Sequence, residues 1–120
     1  MGAGIRDIKL LIVGKWHSDK NAHQAIFDFN SDIHEARIQL RDSNGTDAFD
    51  GKYEISLLEY NSEINDFVYY IEASSPHNKF YFRIDIINEH KLVLTELKNM
   101  KPVGDKVIYV RKPYKAVDDN

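Results

Sequence analysis

Phe80-Tyr81-Phe82-Arg83-Ile84-Asp85-Ile86 sets large apolar residues at every second position, the period of two that marks a half-buried strand. Ser75-Pro76-His77-Asn78 just before it has turn composition, and Phe67 to Ala73 before that is a second apolar stretch. Folding the two stretches back on that turn sets Ser74 against Lys79, Ile71 against Phe82, Tyr69 against Ile84 and Phe67 against Ile86. The apolar residues of both strands then share one face, while Tyr70 meets Arg83 on the other. A slip of one residue would mix the faces, so this register is favoured.

The same alternation spreads outward from this hairpin. Ile26 to Asn30, Ala36 to Arg41 and Tyr53 to Leu57 show it upstream, and Leu92 to Leu94 and Val107 to Val110 follow. With Gly14 to Asp19 the count reaches eight strands. Short polar turns separate them, such as Ser43-Asn44-Gly45 and Asn88-Glu89-His90. Every proline is expected in a turn or beyond the last strand. One helix is predicted, Ile5 to Ile12, where Ile5, Ile8 and Ile12 recur on one face; it needs the sheet to persist. Connections this short hold no crossover helix, so neighbours should be antiparallel. The expectation is an all-β, up-and-down antiparallel barrel of about eight short strands, which leaves no open edge. Residues 1–120 fit a single domain with flexible ends at 1–4 and 114–120.

Composition narrows the function. The 120 residues carry 16 Lys and Arg against 19 Asp and Glu, a net charge of −3. The basic residues are scattered singly, which argues against nucleic-acid binding, since that asks for a clustered basic face. There is no cysteine, so disulfides and thiolate chemistry are excluded. Leu10 to Val13 is the longest aliphatic run, too short for a membrane span. Compartment is not encoded; export to a periplasm is compatible if a leader has been removed. Arg6 stands where a myristoylation signal has Ser or Thr.

Gly14-Lys15-Trp16 opens the first strand directly after the predicted helix. It resembles the G-x-W signature of lipocalins, in which glycine lets the chain turn sharply and the indole plugs the barrel. Lipocalins also stack an arginine from the end of the last strand over that tryptophan, and Arg111 sits where that partner belongs. With its strand order, the chain resembles the small bacterial lipocalin-like proteins of the calycin superfamily. The T-D-Y motif of longer lipocalins is replaced by Asn88-Glu89-His90. The R-x-Y element of fatty-acid-binding proteins is reversed, as Tyr109-x-Arg111. Gly14, Trp16 and Arg111 fit a structural role.

A barrel of eight strands is filled by side chains or holds one small ligand. The apolar phase of each strand predicts an inward set that includes Leu57, Phe67, Ile86, Ile108 and Val110. Phe29, Tyr53, Tyr69, Phe82 and Ile84 are the candidate contacts for a small lipophilic molecule. Tyr70, Tyr81 and Arg83 form an outward aromatic patch suited to a protein partner, as in a filled barrel acting as an interaction, inhibitor or immunity module. Catalytic signals are poor, and a non-enzymatic role is expected. His17, His23, His34, His77 and His90 lack the paired spacing of a zinc site. Asp42, Asp47 and Asp50 near Gly45 miss the calcium-loop spacing, so no metal or cofactor is predicted. Asp28, Glu54, Glu72 and Asp85 alternate with apolar residues and should face solvent, with Glu72 and Arg83 as an exposed cross-strand pair.

Overall fold

In the computed structural model, which describes residues 4–18, 20 and 22–111, the alternating stretches close into an antiparallel barrel. The elements are α1 (Ile5–Ile12), β1 (Gly14–Ser18), β2 (Gln24–Asn30), β3 (Glu35–Arg41), β4 (Asp47–Asn61), β5 (Asp66–Ser74), β6 (Lys79–Ile87), β7 (Lys91–Lys98), β8 (Lys101–Pro102) and β9 (Val107–Val110). Strands β1 to β7 pair in chain order, β7 pairs with β9, and β9 closes the ring on β1 through His17–Val110 and Ser18–Tyr109. These make eight staves, and two-residue β8 only extends the end of β7. The predicted flexible residues 1–3 and 114–120, and the predicted strand end at Asp19, lie outside the described residues. Gly4 is not a loose end, because its carbonyl accepts the Ile8 N–H. Among the described residues no helix is long and apolar enough to cross a membrane.

The Ser75–Asn78 hairpin has the predicted register from Ser74–Lys79 through Tyr69–Ile84. Phe67 and Ile86, expected to pair next, do not. A bulge between Ile84 and Ile86 sets one extra residue, Asp85, into β6, so Ile86 turns outward and Ile87 takes the core side. A second bulge interrupts β4 between Leu57 and Glu59. Both lie beside the row Leu57–Tyr69–Ile84–Leu94, so β4 and β6 bend at one level of the wall.

β4 is far longer than the predicted Tyr53–Leu57. It pairs with β3 as far as Lys52 and with β5 from Lys52 onward. Gly51 makes that change of partner possible: a Cβ there would lie 2.2 Å from the Ser74 carbonyl oxygen. Beyond Leu57 and Tyr69 the β4–β5 hairpin leaves the wall, and among the described residues its strands pair only with each other.

Phe27, Ile38, Ile71 and Leu92 are fully buried and fill the middle of the barrel, and Trp16, equally buried, lies at the end that meets α1. Ile8 and Ile12 of α1 join this core from one end. An eight-residue helix holds no stability of its own in water, so burial of these side chains, about 2 kcal/mol each, is what orders it. Several members of the predicted inward set lie elsewhere. Phe29, Leu57, Phe67 and Ile86 are roughly half exposed, because they sit where β2 ends or where the wall splays. In β9 the phase is opposite to the prediction. Val107 and Tyr109 pack on the core while Ile108 and Val110 face out, since the strand docks beside Leu92 and Leu94. Pro102 lies in β8 rather than in a turn, at a strand of only two residues.

Candidate functional site

The end of the barrel that meets α1 is tied by three residues. Gly14 adopts φ +136°, a conformation that calls for glycine, and the Arg111 guanidinium lies in van der Waals contact with it, 3.4 Å from where a Cβ would stand. That guanidinium lies over Trp16, with Cζ 4.0 Å from the ring centroid. Its Nη2 donates to the carbonyls of Leu11 at 2.6 Å and Val13 at 3.2 Å, and Trp16 Nε1 donates to Ile12 at 2.8 Å. Carbonyls that a helix C-terminus leaves open are thus satisfied by one cation and one indole. Burial draws the Arg111 pKa below its ordinary value while Glu89 opposes that shift. The trio is a clasp between helix and barrel.

The five candidate ligand contacts do not surround one chamber. Phe29 and Tyr53 line a cleft of about 340 Å³ between α1 and the start of β3, with Leu10, Val13, Ala36 and Ile55. Tyr69 and Ile84 line a larger opening of about 570 Å³ where β5 and β6 separate. Phe82 lies at the opposite mouth, in a recess of about 160 Å³ beside Leu40 and Val107. The fully buried core side chains occupy the middle. Space is at the ends.

The opening between β5 and β6 follows from the two bulges. Asp66, Phe67 and Val68 form one lip and Asp85, Ile86 and Ile87 the other, with Ile8 of α1 at the floor. The hairpin beyond it carries Leu57, Tyr60, Ile64 and Phe67, each 50% to 62% exposed, with the Tyr60 and Phe67 rings 5.2 Å apart. The sequence prediction missed Ile64, Ile87, Leu10 of α1 and Val13 just after it. One signal was available: between Lys52 and Lys79 the chain has five carboxylates and no Lys or Arg, amid apolar residues.

Tyr53 reaches the inner cleft from β4, with its ring edge-on to Phe27 at 5.2 Å. Burial, with a smaller contribution from Asp28, pushes its hydroxyl pKa up to about 12. The phenol is therefore a neutral hydrogen-bonding group at any physiological pH.

On the outer wall Tyr70 and Tyr81 lie diagonally, ring centroids 6.2 Å apart, and Arg83 pairs with Tyr70 across the strands. Arg83 does not bridge to Glu72 as expected. It binds Asp85 at 2.6 Å, Asp85 accepts from Thr95 Oγ1 at 2.5 Å, and Glu72 pairs with Lys79. Asp85 is consequently withdrawn from solvent, its side chain 13% exposed, because the bulge folds it against its neighbours. Asp42 is used by its own turn, accepting the N–H groups of Asn44 and Thr46. Among the described residues, no three His, Asp or Glu side chains are placed to hold a metal ion.

Comparison with protein-family models, with curated proteins and with solved structures finds no match to this chain.

Proposed function

We propose that this chain is a non-catalytic binding module of the lipocalin-like, calycin type, and that its ligand is a small lipophilic molecule taken up between β5 and β6. The observation that carries this is the opening of about 570 Å³ bounded by the splayed strands, with Ile8, Phe67, Tyr69, Ile84, Ile86 and Ile87 on its apolar side and Glu59, Asp66, Arg83, Asp85 and Lys106 on its polar side. Ligand sites have volumes of roughly 300–1,000 Å³ and combine apolar walls with polar groups that orient the ligand. The G-x-W and terminal arginine resemblance supports the family, and the clasp of Gly14, Trp16 and Arg111 supports it further. Fold alone assigns no chemistry. Among the charged residues that line the opening, Arg83 and Asp85 bind each other.

The test is displacement of a fluorescent fatty acid, together with native mass spectrometry of the purified protein. Saturable binding that Ile86→Arg weakens at least about tenfold supports the assignment, since a charge at that lip must be desolvated. No co-purified lipid and no dye binding would reject it.

A second reading rests on the outer pair Tyr70 and Tyr81 beside Arg83, and on the filled middle of the barrel. It makes the protein an interaction, inhibitor or immunity module. Tyr70→Ser with Tyr81→Ser would then abolish a partner complex in size exclusion while the fold persists.

A further inference from the structure

Where β4 exchanges β3 for β5 at Lys52, one side of β4 is left without a partner. Among the described residues nothing pairs with that side from Tyr53 onward, and the bulge at Leu58 ends the regular stretch at Leu57. Five regular residues thus present a strand edge about 17 Å long that carries no ladder pairing, and Glu35 and Ala36 at the start of β3 stand across the gap from it. The gap beside this edge has two differently lined faces. Toward the barrel lies the cleft of about 340 Å³, walled mainly by Leu10, Val13, Phe29, Tyr53 and Ile55, with Lys9, His34 and Glu54 at its margin. Toward solvent lies a cleft of about 330 Å³ that includes Glu35, Glu54 and Glu72. Glu35 is held by Arg37 and Lys52, and Glu72 by Lys79, whereas Glu54 forms no ion pair among the described residues.

From this arrangement we infer that the Tyr53–Leu57 edge accepts an extended segment of a partner protein as an added strand. Side chains of an added strand alternate between the two faces. Those on the inner side enter the apolar cleft, and those on the outer side meet the Glu54 carboxylate. The partner segment is therefore apolar at alternate positions and basic between them. Main-chain hydrogen bonds supply affinity, and the two clefts supply the choice of sequence. This site is separate from the opening between β5 and β6, on the other side of the same hairpin, and does not depend on a lipophilic ligand there.

The experiment uses the full-length chain labelled with 15N and a capped peptide of about seven residues alternating valine and lysine, with an alternating valine and glutamate peptide as control. The lysine peptide is expected to shift the amides of Tyr53 to Leu57, Glu35 and Ala36. Glu54→Lys should weaken it at least about fivefold, while Glu59→Lys, the same charge change beyond the bulge, leaves affinity within about twofold. Unchanged Trp16 fluorescence shows that each variant is folded. Four outcomes overturn the inference: no shift along Tyr53 to Leu57, an equal response to the glutamate peptide, equal loss in both variants, or sedimentation showing that a second copy occupies the edge.

Discussion

The guanidinium of Arg111 sits 4.0 Å above the Trp16 ring while its Nη2 reaches the Leu11 carbonyl at 2.6 Å, so one side chain joins the last strand, the first strand and the helix. Removing it uncovers the indole and leaves helix carbonyls without a donor. Arg111→Ala should therefore cost about 2–3 kcal/mol of stability. Arg111→Lys should recover less than half, because an ammonium cannot lie flat on the indole and bond two carbonyls together. Urea unfolding measures both, as a lower midpoint at unchanged slope. Equal stability of Lys and Arg variants would show that charge alone matters there.

Gly51 and Gly45 separate crowding from backbone strain. A Cβ at Gly51 meets the Ser74 carbonyl oxygen at 2.2 Å, a backbone atom with no room to yield, whereas Gly45 has φ +79° and open space around it. Gly51→Ala should cost more than about 2 kcal/mol, since β4 or β5 must shift. Gly45→Ala should cost about 1 kcal/mol, the ordinary penalty for a left-handed conformation. Chemical denaturation of the two variants should give that order, and the reverse order would contradict the close approach of the strands.

The difference between what the sequence disclosed and what it hid has a physical origin. Phe80 to Ile86 could be read because one wrong register exposes every apolar residue at once. The helix could be read because Ile5, Ile8 and Ile12 have no other common face. The phase of β9 could not, since Val107 to Val110 is apolar at all four positions and only docking on Leu92 and Leu94 decides it. The bulge at Asp85 was equally hidden, because Ile84-Asp85-Ile86-Ile87 continues a regular alternation before offering an adjacent apolar alternative. The candidate contacts followed suit. Once Ile86 and Phe67 leave the interior, a single chamber divides into separate openings.

Tyr53 makes stability depend on pH on the alkaline side. Its hydroxyl titrates near 10 in the unfolded chain and near 12 when buried in the fold. Between those values the unfolded chain releases the proton and the folded one keeps it, so unfolding is favoured as pH rises. The stabilisation is whole below pH 10 and lost on the way to about 12. Tyr109 is shifted upward by burial in the same direction, so it adds to the slope. Tyr53→Phe keeps the ring against Phe27 and should flatten, but not abolish, the fall in stability. Denaturant titrations at about pH 9 and pH 11 would show it, and an unchanged slope would mean that the phenol is solvated.

Asp85 is the extra residue of β6, and its deletion tests whether the bulge holds the opening apart. Ile84–Leu94 and Ile86–Val93 flank it, so removing Asp85 leaves every β6–β7 pair in place while straightening the strand. A straight β6 continues alongside β5 and brings Phe67 and Val68 into the ladder. The bonds Asp85 makes to Arg83 and Thr95 are lost, which should lower stability by about 1–3 kcal/mol. Against that loss, the amides of Phe67 and Val68 should exchange with solvent at least about tenfold more slowly, as paired strand amides do. Asp85→Ala separates the effects, because it removes the same side-chain bonds but keeps the bulge. Dye binding should vanish in the deletion and persist in Asp85→Ala. Loss of binding in both would assign the ligand to the Asp85 carboxylate rather than to the space between the strands.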